Sequence, residues 1–146
     1  MEGNHGFARI EKRPRRASLR WMAHPIILSA ALFALCAPGP RNTCVVDGDT
    51  FWLSGEKIRI ADINAPETHG AKCAYEQQLG DAATRRLIVL LNRGPFELQS
   101  GPRDTDKYGR SLRTVVRSGR SLGGELVAEG LAETWKGRRS DWCAPT

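Results

Sequence analysis

Between residues 43 and 63 the chain is punctuated too closely for a helix and patterned too regularly for a loop. "TCVVD" (43–47) is β-rich, and Gly48 breaks it. "TFWLS" (50–54) alternates apolar and polar residues, "GE" turns, and "KIRIADI" (57–63) alternates again. Period-two runs of this length, separated by Asp-Gly and Gly-Glu, read as a three-strand meander. In the third strand Ile58, Ile60 and Asp62 fall to one side, and Arg59, Ala61 and Ile63 to the other. The period then changes. Leu79, Ala82, Ala83, Leu87, Leu90 and Leu91 recur at helical spacing over residues 75–92, and "NRGP" stops the run.

Beyond that helix, "FELQS" (96–100) and "LRTVVRS" (112–118) read as fourth and fifth strands joined by a polar loop, "GPRDTDKYGRS". A short C-terminal helix is predicted over 121–132, with Ser121 as its N-cap. The tail "ETWKGRRSDWCAPT" is polar and basic. Three strands, a helix, two strands and a short helix give a mainly β, α+β class. The arrangement is that of a five-stranded OB-fold barrel with a helix between strands three and four.

The first 40 residues read differently. "EKRPRRASLRW" is basic and aperiodic, and "HPIILSAALFALCAPGP" is apolar until Pro38, Gly39 and Pro40 break it. A basic start, a short apolar run and small residues at its end predict an export signal. "RRASLR" is similar to a twin-arginine signal, and Met22 could start a shorter one. The apolar run is shorter than the ~20 residues that span a bilayer, which favours cleavage; an anchor through residues 21–38 is the alternative. The expected division is therefore 1–40 as leader, making transient membrane contact, and 41–146 as an exported domain, periplasmic or extracellular.

The net charge of +6 is uneven. Residues 1–36 carry a surplus of four positive charges and the rest of the chain only two, so overall charge does not identify what the domain binds. Of four cysteines, Cys36 lies in the apolar run and is expected to leave with it. Three then remain, which allows one internal disulfide and leaves one thiol. Of the three possible pairs, Cys73 with Cys143 is expected, tying the tail to the loop after Glu67. No C-x-x-C or H-x-x-x-H spacing points to zinc.

Three stretches could carry chemistry. "VVDGDTF", "RIADINAPE" and "DTDKYGR" each read alone as a turn or a solvated loop. Taken together they offer more. Asp49 and Asn64 stand at strand ends and can supply oxygens to a hard cation. Glu67 follows the rigid Pro66 and can face a water beside such a cation. Arg59 and Arg110 come from separate segments, and their planar forks suit a phosphodiester. A carboxylate base, a metal and two arginines are the parts that metal-assisted phosphodiester hydrolysis requires.

"DGDT", "R-x-x-x-x-x-A-P-E", "DKYGR" and "LVAEGLA" occur here in the order in which they occur in the staphylococcal-nuclease-like (thermonuclease) family. The resemblance covers residues 43 to about 135. It implies an OB-fold barrel that cuts DNA and RNA with Ca²⁺ and leaves 3′-phosphate ends. It also implies Asp49 and the Ala65 carbonyl as metal ligands, with Asn64 at a ligand position. Glu67 resembles the general base, Arg59 and Arg110 the phosphate clamps, and Lys107 and Tyr108 the contacts to a neighbouring phosphate. A monomer acting on single-stranded DNA or RNA, with no obligate protein partner, is expected.

Two departures stand out. The family usually has aspartate where this chain has Asn64; an amide oxygen still coordinates Ca²⁺ but brings no charge, so weaker binding is expected. On that view Asn64→Asp should lower the Ca²⁺ requirement. Asp62 cannot simply substitute: along a strand it shares a face with Asn64 but stands ~6–7 Å away. The tail lacks the family's paired tyrosines and has Trp135, Lys136, Arg138 and Trp142 instead. These tryptophans either stack on bases or pack against the last helix. The alternative function is an OB-fold module that binds single-stranded nucleic acid with weakened cleavage.

Overall fold

This computed structural model describes residues 26–27 and 32–144. It opens with β1 (Ile26–Ile27), and the expected meander follows as β2 (Cys44–Asp47), β3 (Thr50–Leu53) and β4 (Glu56–Ile60). These pair antiparallel with Val45 opposite Phe51 and Phe51 opposite Ile58, so one face carries the core. Ser54 and Gly55 both adopt positive φ, as a two-residue hairpin requires. At the other turn the pairing slips between Val45 and Asp47, an irregularity that re-aims the Asp47–Asp49 segment.

The third predicted strand is broken in two. β4 ends at Ile60, and β5 (Ile63–Asn64) leaves the main sheet. Then come α1 (Ala74–Asn92), β6 (Phe96–Thr105), β7 (Ser111–Arg117), β8 (Arg120–Ser121), α2 (Leu122–Ala128) and β9 (Glu133–Thr134). The main sheet runs β1-β6-β7-β4-β3-β2, with β8 beside β7, and β5 pairs with β9. The β4–β7 pairing is parallel and sets Arg59 opposite Leu112, so Arg59 lies beside the chain just after Arg110.

α1 buries Gly80, Ala83, Thr84, Leu87, Leu90 and Leu91. Leu79 and Ala82, expected on that face, are only half-buried, because Gly80 and Thr84 make the close contacts instead. β6 runs five residues beyond the predicted strand. Its exposed continuation pairs through Thr105 opposite Ser111 and needs no buried face. α2 stops four residues short of the predicted end. Gly130 takes a left-handed φ of 74°, and Leu131 N–H returns to the Leu126 carbonyl, which terminates the helix. Ser121 caps it as expected, its Oγ accepting from Gly124 N–H at 3.0 Å.

The N-terminal side corrects one expectation. Phe33 is 3 % exposed and packs with Phe51 and Phe96, ring centroids 5.9 and 6.1 Å away. Leu35 bridges to Val45, and Cys36 is disulfide-bonded to Cys44. Cys36 therefore belongs to the folded domain, and the packed body begins before residue 41. The apolar run supplies an aromatic to the core and a partner to the β2 edge. Cys73 pairs with Cys143 as expected, so all four cysteines are bonded. Residues 1–25 and 28–31, which hold most of the expected leader, lie outside the described residues. Among the described residues no helix is long and apolar enough to cross a membrane.

Candidate active site

Asp49 is the hub at which the separated segments meet. Its Oδ2 accepts from Ala65 N–H at 2.9 Å and lies 3.3 Å from Arg59 Nη2; its Oδ1 accepts from Thr50 Oγ1 at 3.0 Å. Both charged side chains of this pair are 7 % exposed. Arg59 also donates Nη1 to the carbonyls of Ile60 and Ile63, which fixes its plane. A buried ion pair held at both ends in this way is rigid, and removing either partner leaves an uncompensated charge. The "NAPE" turn reaches Asp49 because two glycines let it approach. A Cβ on Gly48 would sit 2.8 Å from that of Ala65, and one on Gly80 2.6 Å from the Glu67 carbonyl oxygen.

Asp47, Asp49, Asn64, Ala65, Glu67 and Arg110 line one cleft of about 420 Å³. Five of the predicted site residues are thereby gathered, with Arg59 in contact with Asp49 behind them. Burial and then the Asp49 charge push the Asp47 carboxyl up to about 8. Burial also raises the Glu67 carboxyl above its ordinary value; the Arg139 guanidinium opposes this, and the Asp49 and Glu76 charges add to it. Arg139 Nη1 lies 2.5 Å from Glu67 Oε1.

A second cleft, of about 460 Å³, shares Arg110 and Arg139 with the first. Arg59, Arg103 and Lys107 line it too, against one carboxylate, Asp106. Tyr108 and Trp135 stand in it, 69 % and 40 % exposed. The Arg59 guanidinium lies 5.7 Å from the Trp135 ring, and that of Arg110 lies 5.4 Å from Tyr108. Trp135 is thus a wall of this cleft. Fixed cations beside exposed rings suit a flexible polyanion with stacking bases.

The sequence profile of the family described as "Staphylococcal nuclease homologue" matches residues 57–143. The chain belongs to that family. It is 36 % identical to Endonuclease YncB of Bacillus subtilis over 92 residues, 60 % of this chain and 43 % of the relative. The SPbeta prophage-derived endonuclease YokF of the same organism matches at 36 % over 92 residues, 31 % of its length. The chain thus spans less than half of these two curated relatives. Micrococcal nuclease of Shigella flexneri is 29 % identical over 133 residues, covering 82 % of this chain and 71 % of that one.

In this staphylococcal nuclease homologue the oxygen donors fit a hard cation. Asn64 is 1 % exposed, and its Oδ1 is buried without a hydrogen-bond partner. Such an acceptor is costly unless something occupies it. It lines the same cleft as the Asp49 and Asp47 carboxylates. Among the described residues no three His, Cys, Asp or Glu side chains form a metal-binding cluster by themselves, so the amide and carbonyl oxygens are needed.

Four residues of the site escaped sequence reasoning. Asp106 accepts from Tyr108 N–H (2.9 Å), Arg110 N–H (3.0 Å) and Arg110 Nε (2.6 Å), and so folds the "DKYGR" turn around itself. An Asp two residues before Tyr and four before Arg was the available signal. Asp47 was legible only as a turn residue. Glu133 accepts from Asn64 Nδ2 at 2.9 Å, and Arg139 meets Glu67. Both lie in a tail with no periodicity to place it. Asp62 does not share the face of Asn64, as a continuous strand would require: the strand breaks between Ile60 and Ile63, and Asp62 Oδ2 accepts from Ser121 Oγ, beside α2.

Proposed function

We propose that this chain is a Ca²⁺-dependent nuclease that hydrolyses phosphodiester bonds of single-stranded DNA or RNA and leaves 3′-phosphate ends. The observation that carries this reading is the convergence of Asp49, Asn64, Glu67 and Arg110 on one acidic cleft that abuts a basic, aromatic one. The names of the relatives, endonuclease and micrococcal nuclease, agree with it. Export to an oxidising compartment is part of the proposal and is supported by the two disulfides.

Asp49, the Asn64 amide oxygen and the Ala65 carbonyl would hold the ion. When bound, it would supply Lewis-acid charge to the phosphoryl oxygen and to the attacking water. Glu67 takes a proton from the attacking water, and its raised affinity for protons suits a base. Arg110 holds the equatorial oxygens, where negative charge grows; Arg59, tied in the free chain to Asp49 and to the Ile60 and Ile63 carbonyls, joins it once its Asp49 contact is released. Lys107 and Tyr108 hold a neighbouring phosphate, and Trp135 offers a stacking face. Arg139, paired with Glu67 in the free chain, turns to phosphate when substrate enters. The water oxygen bonds to phosphorus as the P–O5′ bond breaks; the phosphate stays on the 3′ side, and the 5′-oxygen leaves as a hydroxyl, taking a proton from solvent.

The test is digestion of a labelled single-stranded oligonucleotide by the full chain in Ca²⁺ and in chelator, with analysis of product ends. Cleavage that needs Ca²⁺ and yields 3′-phosphates is expected. Tight binding without cleavage in any divalent cation would favour the binding-module reading, which the Arg139–Glu67 contact supports.

A further inference from the structure

The tail after α2 reaches the side chain of Asn64. β9 pairs with β5 so that Glu133 stands directly opposite Asn64. The Asn64 Nδ2 donates to Glu133 Oε1 at 2.9 Å. Glu133 is itself fixed: Ser140 N–H reaches Oε1 at 3.1 Å and Ser140 Oγ reaches Oε2 at 2.5 Å. The other end of the amide, Oδ1, is buried and unpartnered in a side chain that lines the acidic cleft.

An amide has a donor end and an acceptor end of nearly equal size, and its neighbours decide which way it points. A carboxylate can only accept, so Glu133 fixes the NH₂ group toward β9. That leaves the oxygen as the unpartnered end of a side chain that lines the cleft. Without Glu133 the amide could turn its NH₂ toward a cation and repel it. We propose that Glu133 is the positioning residue of the metal site: it orients the Asn64 amide oxygen and brings, across β5–β9, the negative charge that the amide lacks. This rests on the nuclease reading above and deepens it.

The pairing has a further consequence. An aspartate at position 64 would set a second carboxylate against Glu133 at the distance now spanned by a hydrogen bond. Like charges this close are unfavourable, so the pair holds a proton between them and the new carboxylate adds no net charge. Asn64→Asp alone therefore should not tighten Ca²⁺, contrary to what charge counting at one ligand suggests. The residues at 64 and 133 act as a set: amide with carboxylate, or carboxylate with amide.

The experiment is titration calorimetry of Ca²⁺ into the full chain and into Glu133→Ala, Glu133→Gln, Asn64→Asp and the Asn64→Asp/Glu133→Gln double variant. Thermal unfolding serves as the check on folding, and the Asn64 side-chain amide signals are followed by ¹H–¹⁵N NMR without metal. Glu133→Ala should weaken Ca²⁺ by about 10–100-fold, as loss of an outer partner of a metal ligand does. Glu133→Gln keeps the acceptor and should weaken it less. Asn64→Asp should bind no tighter than wild type, and adding Glu133→Gln to it should recover at least about tenfold. The Asn64 amide signals should move in Glu133→Ala. Folded Glu133→Ala with wild-type affinity and unmoved amide signals, or Asn64→Asp tighter than wild type and indifferent to Glu133→Gln, would overturn the inference. Wild type that binds no Ca²⁺ would instead sink the metal reading, and the NMR result would still decide whether Glu133 orients the amide.

Discussion

Arg139 reaches back across the domain so that its Nη1 lies 2.5 Å from Oε1 of Glu67, a residue 72 positions earlier. It lines both the acidic and the basic cleft. A cation in that position neutralises the candidate base, and on the proposed function it would meet phosphate when substrate arrives. Arg139→Ala should therefore weaken single-stranded DNA binding. It should also flatten the dependence of log K on log salt by about 0.7, the slope of one phosphate contact on a single strand. Binding isotherms at several salt concentrations measure it; an unchanged slope would place Arg139 outside the phosphate path.

The tail that carries Glu133 and Arg139 is tied at its end by Cys73–Cys143, a closure over 70 residues that also anchors the N-cap of α1. Replacing both cysteines by serine should cost about 2–4 kcal/mol of stability. It should also lower activity more than stability loss explains, because two site residues lose their tether. Denaturant unfolding beside initial rates at a temperature where both proteins are folded separates the two effects.

Phe33 closes a three-ring cluster with Phe51 and Phe96. Phe33→Ala should destabilise the domain by about 3–5 kcal/mol, the usual cost of emptying a buried phenylalanine site. A fragment beginning at residue 41 should suffer at least as much, since it also loses the Cys36–Cys44 bond. Urea midpoints decide it.

Asp106 folds the turn that presents Arg110. Burial alone would raise its carboxyl, but the hydrogen bonds from Arg110 and Tyr108 and the Arg110 charge outweigh burial and hold it below the ordinary carboxylate value. A depressed folded-state value means that the stabilisation is fully present above the unfolded value of about 3.9 and is lost as pH falls through the lower, folded one. The stability difference between wild type and Asp106→Asn should thus be constant above about pH 5 and shrink below about pH 4. Thermal melts across that range test it, and kcat of the variant should fall as Arg110 loses its support.

Legibility in the sequence followed periodicity. The meander and α1 could be read because alternation and helical spacing are local patterns, and Asp49, Arg59, Glu67 and Arg110 stood at their punctuation. The extension of β6 through Gly101 and Pro102 was not legible, because strand pairing in an exposed arm leaves no apolar rhythm. The role of Phe33 was hidden by composition: an apolar run fits an export signal and a core segment equally well. Asn64 looked like a defect because its partner, Glu133, lies 69 residues away in a two-residue strand. Only the fold brings the amide and its carboxylate together.

On the proposed function, Glu67 and its neighbours form one hydrolytic site. The most direct measurement is the single-turnover cleavage rate of a single-stranded oligonucleotide by Glu67→Gln in saturating Ca²⁺, beside its Kd for the same oligonucleotide. The account predicts a rate lower by about 10²–10⁴-fold with a Kd near that of wild type. A Glu67→Gln protein that cuts at the wild-type rate would contradict it.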